Sequence, residues 1–177
     1  MPLPPYHPEG TETIQDIPAR FLVDGYLKLR ADGAWLFRGE KIKHHGLQKF
    51  LSRQLRLTEE GQYWVVNGPQ RALVEIEDTP YLVTRIAWQK DDQASPMLAT
   101  LNDSSEEELL PESLFMSEEG VLYTHVKRGQ AGASESQSHR ARISANALLD
   151  IEALLVETDN DGIAIQYKGK MYPLTSP

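Results

Sequence analysis

EGQYWVVNGPQRAL (residues 60–73) and DGIAIQYKGKMYPL (residues 161–174) decide the fold. Each begins with an acid and a glycine, places a second glycine seven residues after the first, and ends on leucine. Apolar runs around glycine turns read as β-hairpins. Upstream of each lies a helix-like segment. In HHGLQKFLSRQLRL (44–57), Leu47, Phe50, Leu51 and Leu55 recur at the spacing of one helical face. In ISANALLDIEALLVE (143–157), Ile143, Ala147, Leu148, Ile151, Leu154 and Leu155 do the same, with Ser144 as N-cap.

The correspondence runs without a gap at an offset of 101 residues, pairing Ile42 with Ile143, Leu47 with Leu148, Gly61 with Gly162 and Gly68 with Gly169. Further upstream, DGAWLFRG (32–39) and EGVLYTHVKRG (119–129) match as hairpins. The expected fold is α+β, a duplicated β-hairpin–helix–β-hairpin unit forming two small packed subdomains. Chance similarity between two stretches of an α+β protein is the alternative. The expected organisation is an irregular lead-in (1–19), a first repeat (20–90), a linker (91–111) and a second repeat (112–177). Inside the second repeat, GQAGASESQSHR (129–140) is small and polar and reads as a mobile loop.

The 177 residues can bury one core or two small halves. No apolar run approaches the length of a spanning helix, and the N-terminus lacks the basic and apolar regions of a signal peptide. With no cysteine there is no disulfide, thiol nucleophile or cysteine-bound metal. These features favour a cytoplasmic protein. A net charge of −8 disfavours non-specific binding to nucleic acid or to an anionic membrane.

Catalytic and cofactor motifs are missing. The nucleophile elbow, the phosphate-loop lysine and GxGxxG do not occur, so no catalytic residue and no cofactor is expected. TDNDG (158–162) resembles the start of a calcium loop, but the twelfth position from Glu157 is Lys168, where an anionic ligand is required. His44 and His45, adjacent on a helix, point too far apart to share an ion. No metal site is expected. Glu75 and Glu77 alternate with Val74 and Ile76 and read as a solvent face balancing nearby cations.

Charge is unevenly distributed. Residues 38–56 carry a net +5 and residues 125–142 a net +3, which leaves −16 on the rest. Both basic segments run from a hairpin to the start of a helix, where backbone N–H groups and the helix dipole favour anions. If the repeats pack about a pseudo-twofold axis, the two segments would converge on one anion site. The alternative is two solvated faces whose long side chains cover apolar surface.

DGAWLFRGEKI, GQYWVV, VEIEDTPY and LYTHVKRG, with Arg142 beyond, together resemble the bacterial family called domain of unknown function 1285. The resemblance covers the chain from about residue 26. It implies a duplicated core, a pleckstrin-homology-like C-terminal half, a nucleotide-like ligand between the halves and a role in signal transduction. The expected ligand residues are Lys43, His44, Lys127, Arg128 and Arg142 as cations, with Asp78, Asn102 and Asp103 orienting polar groups. The rival expectation is a protein-interaction scaffold without a small ligand, whose partner is another protein and whose contacts include aromatics such as Trp88.

Overall fold

The computed structural model describes residues 22–68, 70–90, 95–159 and 162–175. The expected lead-in lies outside them. The chain divides into two units, residues 1–80 with 127–139, and residues 81–126 with 140–177.

In the first unit the strands are β1 (Leu22–Leu29), β2 (Trp35–Phe37), β3 (Glu40–Lys41), β4 (Leu55–Leu57), β5 (Tyr63–Asn67) and β6 (Gln70–Ile76). They form one sheet in the order β3-β2-β1-β6-β5-β4, antiparallel except for the central β1/β6 pair. Helix α1 (His45–Arg53) joins β3 to β4. The core is Leu29, Trp35, Leu51, Leu55, Val65 and Val74. Trp35 is fully buried, and its indole N–H donates to Ser52 Oγ at 3.0 Å, which gives a polar residue on the inner face of α1 a partner.

The pattern over 44–57 predicts a longer helix than forms. The helix stops at Arg53, and Leu55 begins β4, in register with Val65. Gln54 C=O accepts from Val66 N–H at 2.9 Å, so strand pairing ends the helix. Of the predicted apolar face, Leu51 and Leu55 are buried while Leu47 and Phe50 are exposed.

In the second unit the six-stranded sheet runs β10-β11-β12-β7-β8-β9. Its strands are β7 (Tyr81–Trp88), β8 (Met97–Leu101), β9 (Glu106–Glu108), β10 (Phe115–Met116), β11 (Leu122–Val126) and β12 (His139–Ile143). The stretch between the two expected repeats thus contains β8 and β9. A three-stranded sheet of β13 (Leu155–Glu157), β14 (Ile163–Tyr167) and β15 (Lys170–Pro173) follows α2 (Ala145–Asp150) and a 3₁₀ turn at Glu152–Leu154. Ser144 caps α2, its Oγ accepting from Ala147 N–H at 3.2 Å. Asp150, at the end of α2, accepts from Ile86 N–H at 2.8 Å and ties the helix to β7. Tyr167 donates to Ser95 C=O at 2.7 Å and stacks on the half-buried Trp88 at 5.9 Å.

The duplication is visible in the hydrogen-bond ladders. Leu55↔Val65, Arg56↔Trp64 and Leu57↔Tyr63 in the first unit recur as Leu155↔Ile165, Val156↔Ala164 and Glu157↔Ile163 in the second. Val66↔Arg71 recurs as Gln166↔Met171, and Thr58 N–H to Gln62 C=O recurs as Thr158 N–H to Gly162 C=O. The offset is 100 residues, one less than the glycine match suggests. In strands that one residue exchanges the two faces, so the ladders and not the glycines define equivalence.

The loop of residues 129–138, expected from the sequence to be mobile, is tied to β4 by its backbone. Leu57 N–H donates to Ala131 C=O at 2.8 Å. At Gly132 φ is +86°, and a Cβ there would sit 2.1 Å from Leu57 O. His139, 1% exposed, closes the loop.

Candidate functional site

The connector between β3 and α1 builds the first unit's cavity. Glu40–Lys41 ends the β2/β3 hairpin, and Ile42 turns inward to pack on the core. His44 is still extended, with φ −79° and ψ 107°. Alternation along an extended backbone sends Lys41 and Lys43 to the side opposite Ile42. The helix begins at His45. His44 is its N-cap, with Nδ1 accepting from Leu47 N–H at 3.1 Å. That bond uses the lone pair on Nδ1, so in the capping tautomer the ring N–H is on Nε2. A Cβ at Gly46 would lie 2.9 Å from His44 Cε1, so glycine leaves room for the capping ring.

Lys41, Lys43, His45 and Gln48 face Asp32, Gly33 and Ala34 across a cavity of about 400 Å³. Asp32 is held by the tight turn it opens. Its Oδ1 accepts from Ala34 N–H at 3.0 Å and lies 4.0 Å from Arg30 Nε. Gln48 donates to Ile42 C=O at 2.8 Å, which fixes the helix against the connector. Lys41 and Lys43 form no ion pair among the described residues. The nearby acids Glu75 and Glu77 are occupied elsewhere, by Lys28 at 2.9 Å and by Arg30 at 3.7 Å with Ala31 N–H at 2.9 Å. No acid lies in the first turn of α1. The cavity therefore offers two ammonium groups, one imidazole and one carboxylate from a single rim.

The eight expected ligand residues fall in both units. Lys43 lines the cavity, and His44 stands beside it as the helix cap. Asp78 is half-buried after β6 and engaged in contacts of its own. Lys127 and Arg128 open the 127–139 segment; Lys127 has φ +51°, and Arg128 Nε donates to Glu135 C=O at 3.3 Å. In the second unit, Arg142 on β12 is in register with Leu82 on β7. Asn102 exchanges two bonds with the same Leu82, donating from its N–H at 2.9 Å and accepting on Oδ1 at 3.2 Å. Asp103 is buried and accepts from Ser105 N–H at 2.9 Å and Ser105 Oγ at 2.6 Å, shaping the turn into β9. Asn102 and Asp103 thus hold backbone together.

Sequence reasoning missed Asp32, Lys41 and His45 as cavity residues. The signal was there in EKIKHH: basic residues at every second position around a half-buried isoleucine place Lys41 and Lys43 on one side of an extended segment that leads into His45 at the helix start.

Among the described residues no group of three or more His, Asp or Glu is gathered closely enough to hold a metal ion. No helix among them is long and apolar enough to cross a membrane.

Fold and cavity together define a class: an α+β protein of two related units with an open, cation-rimmed cavity in the first. The chain belongs to the family described as "Protein of unknown function (DUF2946)", which it matches over residues 11–176. Its fold is that of solved domain of unknown function 1285 proteins. One, from Silicibacter pomeroyi DSS-3, is 15% identical with a TM-score of 0.63, over 93% of this chain and 87% of that one. Another, from Shewanella baltica OS155, is 12% identical with a TM-score of 0.55, over 73% and 91%. The fold resemblance read from the sequence is thereby borne out. No curated protein matches the chain.

Proposed function

We propose that the protein binds a small anionic ligand, of nucleotide-like chemistry, in the first unit's cavity, and that it acts as a non-catalytic sensor in signal transduction. The observation that carries this reading is the cavity of about 400 Å³ rimmed by Lys41, Lys43 and His45. That volume falls in the range of small-molecule sites. Lys41 and Lys43 supply charge to a phosphate or carboxylate, and the N-terminus of α1 adds its dipole. Asp32 supports the nucleotide-like part of the reading, because its carboxylate can accept from a ligand hydroxyl while the lysines hold the anion.

A thermal-shift screen against nucleotides and other phosphorylated metabolites tests it. A ligand at one hundred times its Kd should stabilise the fold by about 2.7 kcal/mol, readily seen as a raised Tm. The shift should vanish in Lys41→Ala/Lys43→Ala. A screen without a hit, or a hit indifferent to both lysines, would count against the reading.

One observation favours the scaffold alternative. Leu47 and Phe50, three residues apart on α1, are 43% and 38% exposed, so the helix turns apolar groups outward. Replacing both by polar residues and finding a lost protein partner, with ligand binding intact, would select that alternative.

A further inference from the structure

The cavity of the first unit is polar on both sides. On the β1/β2 side its wall is the turn from Arg30 to Ala34, and hydrogen bonds lock this turn. Arg30 N–H donates to Ala34 C=O and Gly33 N–H to Arg30 C=O, each at 2.9 Å. Ala34 N–H donates to Asp32 Oδ1 at 3.0 Å. Gly33 sits at φ +80°, where a glycine costs nothing sterically. The second carboxylate oxygen, Asp32 Oδ2, has no partner among the described residues. On the helix side, Gln48 uses one amide N–H on Ile42 C=O, and its Oε1 has no partner among the described residues.

These groups sort by hydrogen-bonding role. Asp32 Oδ2 and Gln48 Oε1 only accept, so they suit the hydroxyls of a ligand. Asp32 also repels any anionic group brought against it. Lys41 and Lys43 only donate, and they suit a phosphate. A nucleobase is held by stacking on aromatic rings or guanidinium planes. The cavity wall has no Phe, Tyr, Trp or Arg, and its single ring is the imidazole of the exposed His45. The site therefore has partners for a phosphate and for hydroxyls, and almost none for a base.

We infer that the cavity recognises a phosphorylated sugar, with Lys41 and Lys43 holding the phosphate while Asp32 Oδ2 and Gln48 Oε1 accept from the hydroxyls. A base attached to that sugar stays outside. This rests on the anion site proposed above, and narrows its ligand to the sugar phosphate that a nucleotide carries.

The test is an NMR titration of the full chain with ribose 5-phosphate, propyl phosphate and adenosine monophosphate at fixed pH and ionic strength, followed at the backbone amides of residues 32–48. Ribose 5-phosphate should bind about tenfold more tightly than propyl phosphate, which has the charge but no hydroxyl. Adenosine monophosphate should bind about as tightly as ribose 5-phosphate. Asp32→Asn keeps an oxygen for Ala34 N–H and removes the charge. It should weaken ribose 5-phosphate about fivefold or more, while propyl phosphate holds its affinity or gains, because a negative charge has left the wall. A damaged fold would weaken both ligands alike, so the unequal response is specific. Adenosine monophosphate binding about tenfold more tightly than ribose 5-phosphate would overturn the inference and leave the anion site standing. Equal affinities for ribose 5-phosphate and propyl phosphate, or equal losses of both in Asp32→Asn, would do the same. If none of the ligands moves these amides, the anion site itself fails, and the sugar phosphate with it.

Discussion

His139 shows how one side chain can hold a loop. Its Nε2–H donates to Gln130 C=O at 2.9 Å, which leaves Nδ1 to accept from Tyr63 O–H at 2.8 Å. A neutral ring with its proton on Nε2 satisfies both contacts. Burial, with the charge of Lys127, pushes its pKa below the ordinary value, while the Gln130 carbonyl opposes the shift. The unfolded chain then binds this proton more readily than the folded one. The stability it contributes is present above the unfolded pKa of about 6.5 and is lost as pH falls through the folded value. Urea unfolding from pH 7 to pH 5 should show this loss in the wild type. His139→Gln should be less stable at pH 7 but flatter across the window; parallel profiles would show that His139 does not carry the effect. At Gly132 the loop backbone touches Leu57, so Gly132→Ala adds steric clash to strain at positive φ. It should cost about 1–3 kcal/mol or more in unfolding free energy. Gly39→Ala, where nothing lies within 4 Å, should cost only the backbone term of about 1 kcal/mol.

Equivalent elements of the two units solve the same problem with different residues. At the offset of 100, His44 and Ser144 are the same N-cap, each accepting from the N–H three residues on. Serine is a favoured cap and was readable in the sequence, whereas histidine in that role is not signalled by composition. His44→Ser should leave stability close to wild type, and His44→Ala should cost about 1 kcal/mol, measured by thermal unfolding. The offset itself was misread by one residue for a related reason. Gly68 (φ +56°) is matched structurally by Lys168 (φ +49°), and the glycine of the second turn is the next residue, Gly169 (φ +75°). Tight hairpin turns want positive φ at more than one position, so glycine can move by one while the ladder stays fixed. The helices were legible as apolar periodicity, but their ends were not. Leu55 and Leu155 fit a helical face and a strand equally well, and pairing with β5 and β14 decides for the strand.

At the scale of the whole molecule, the α+β class and the duplication were legible because two hairpins and two helical patterns recur in order. The division into units was less so, since residues 127–139 join the first unit from far along the chain. Charge segregation pointed to residues 38–56, and within them Lys43 lines the cavity. The alternation that adds Lys41 and His45 acquires meaning once Ile42 is known to face inward. The most direct test of the cavity reading is an NMR titration with adenosine monophosphate, following the backbone amides of residues 32–48. Saturating shifts should be confined to Asp32–Ala34 and Lys41–Gln48, and Lys43→Ala should weaken binding about tenfold, the loss of one charge-assisted contact. Amides in that region that stay still, or shifts that persist at full affinity in Lys41→Ala/Lys43→Ala, would contradict it.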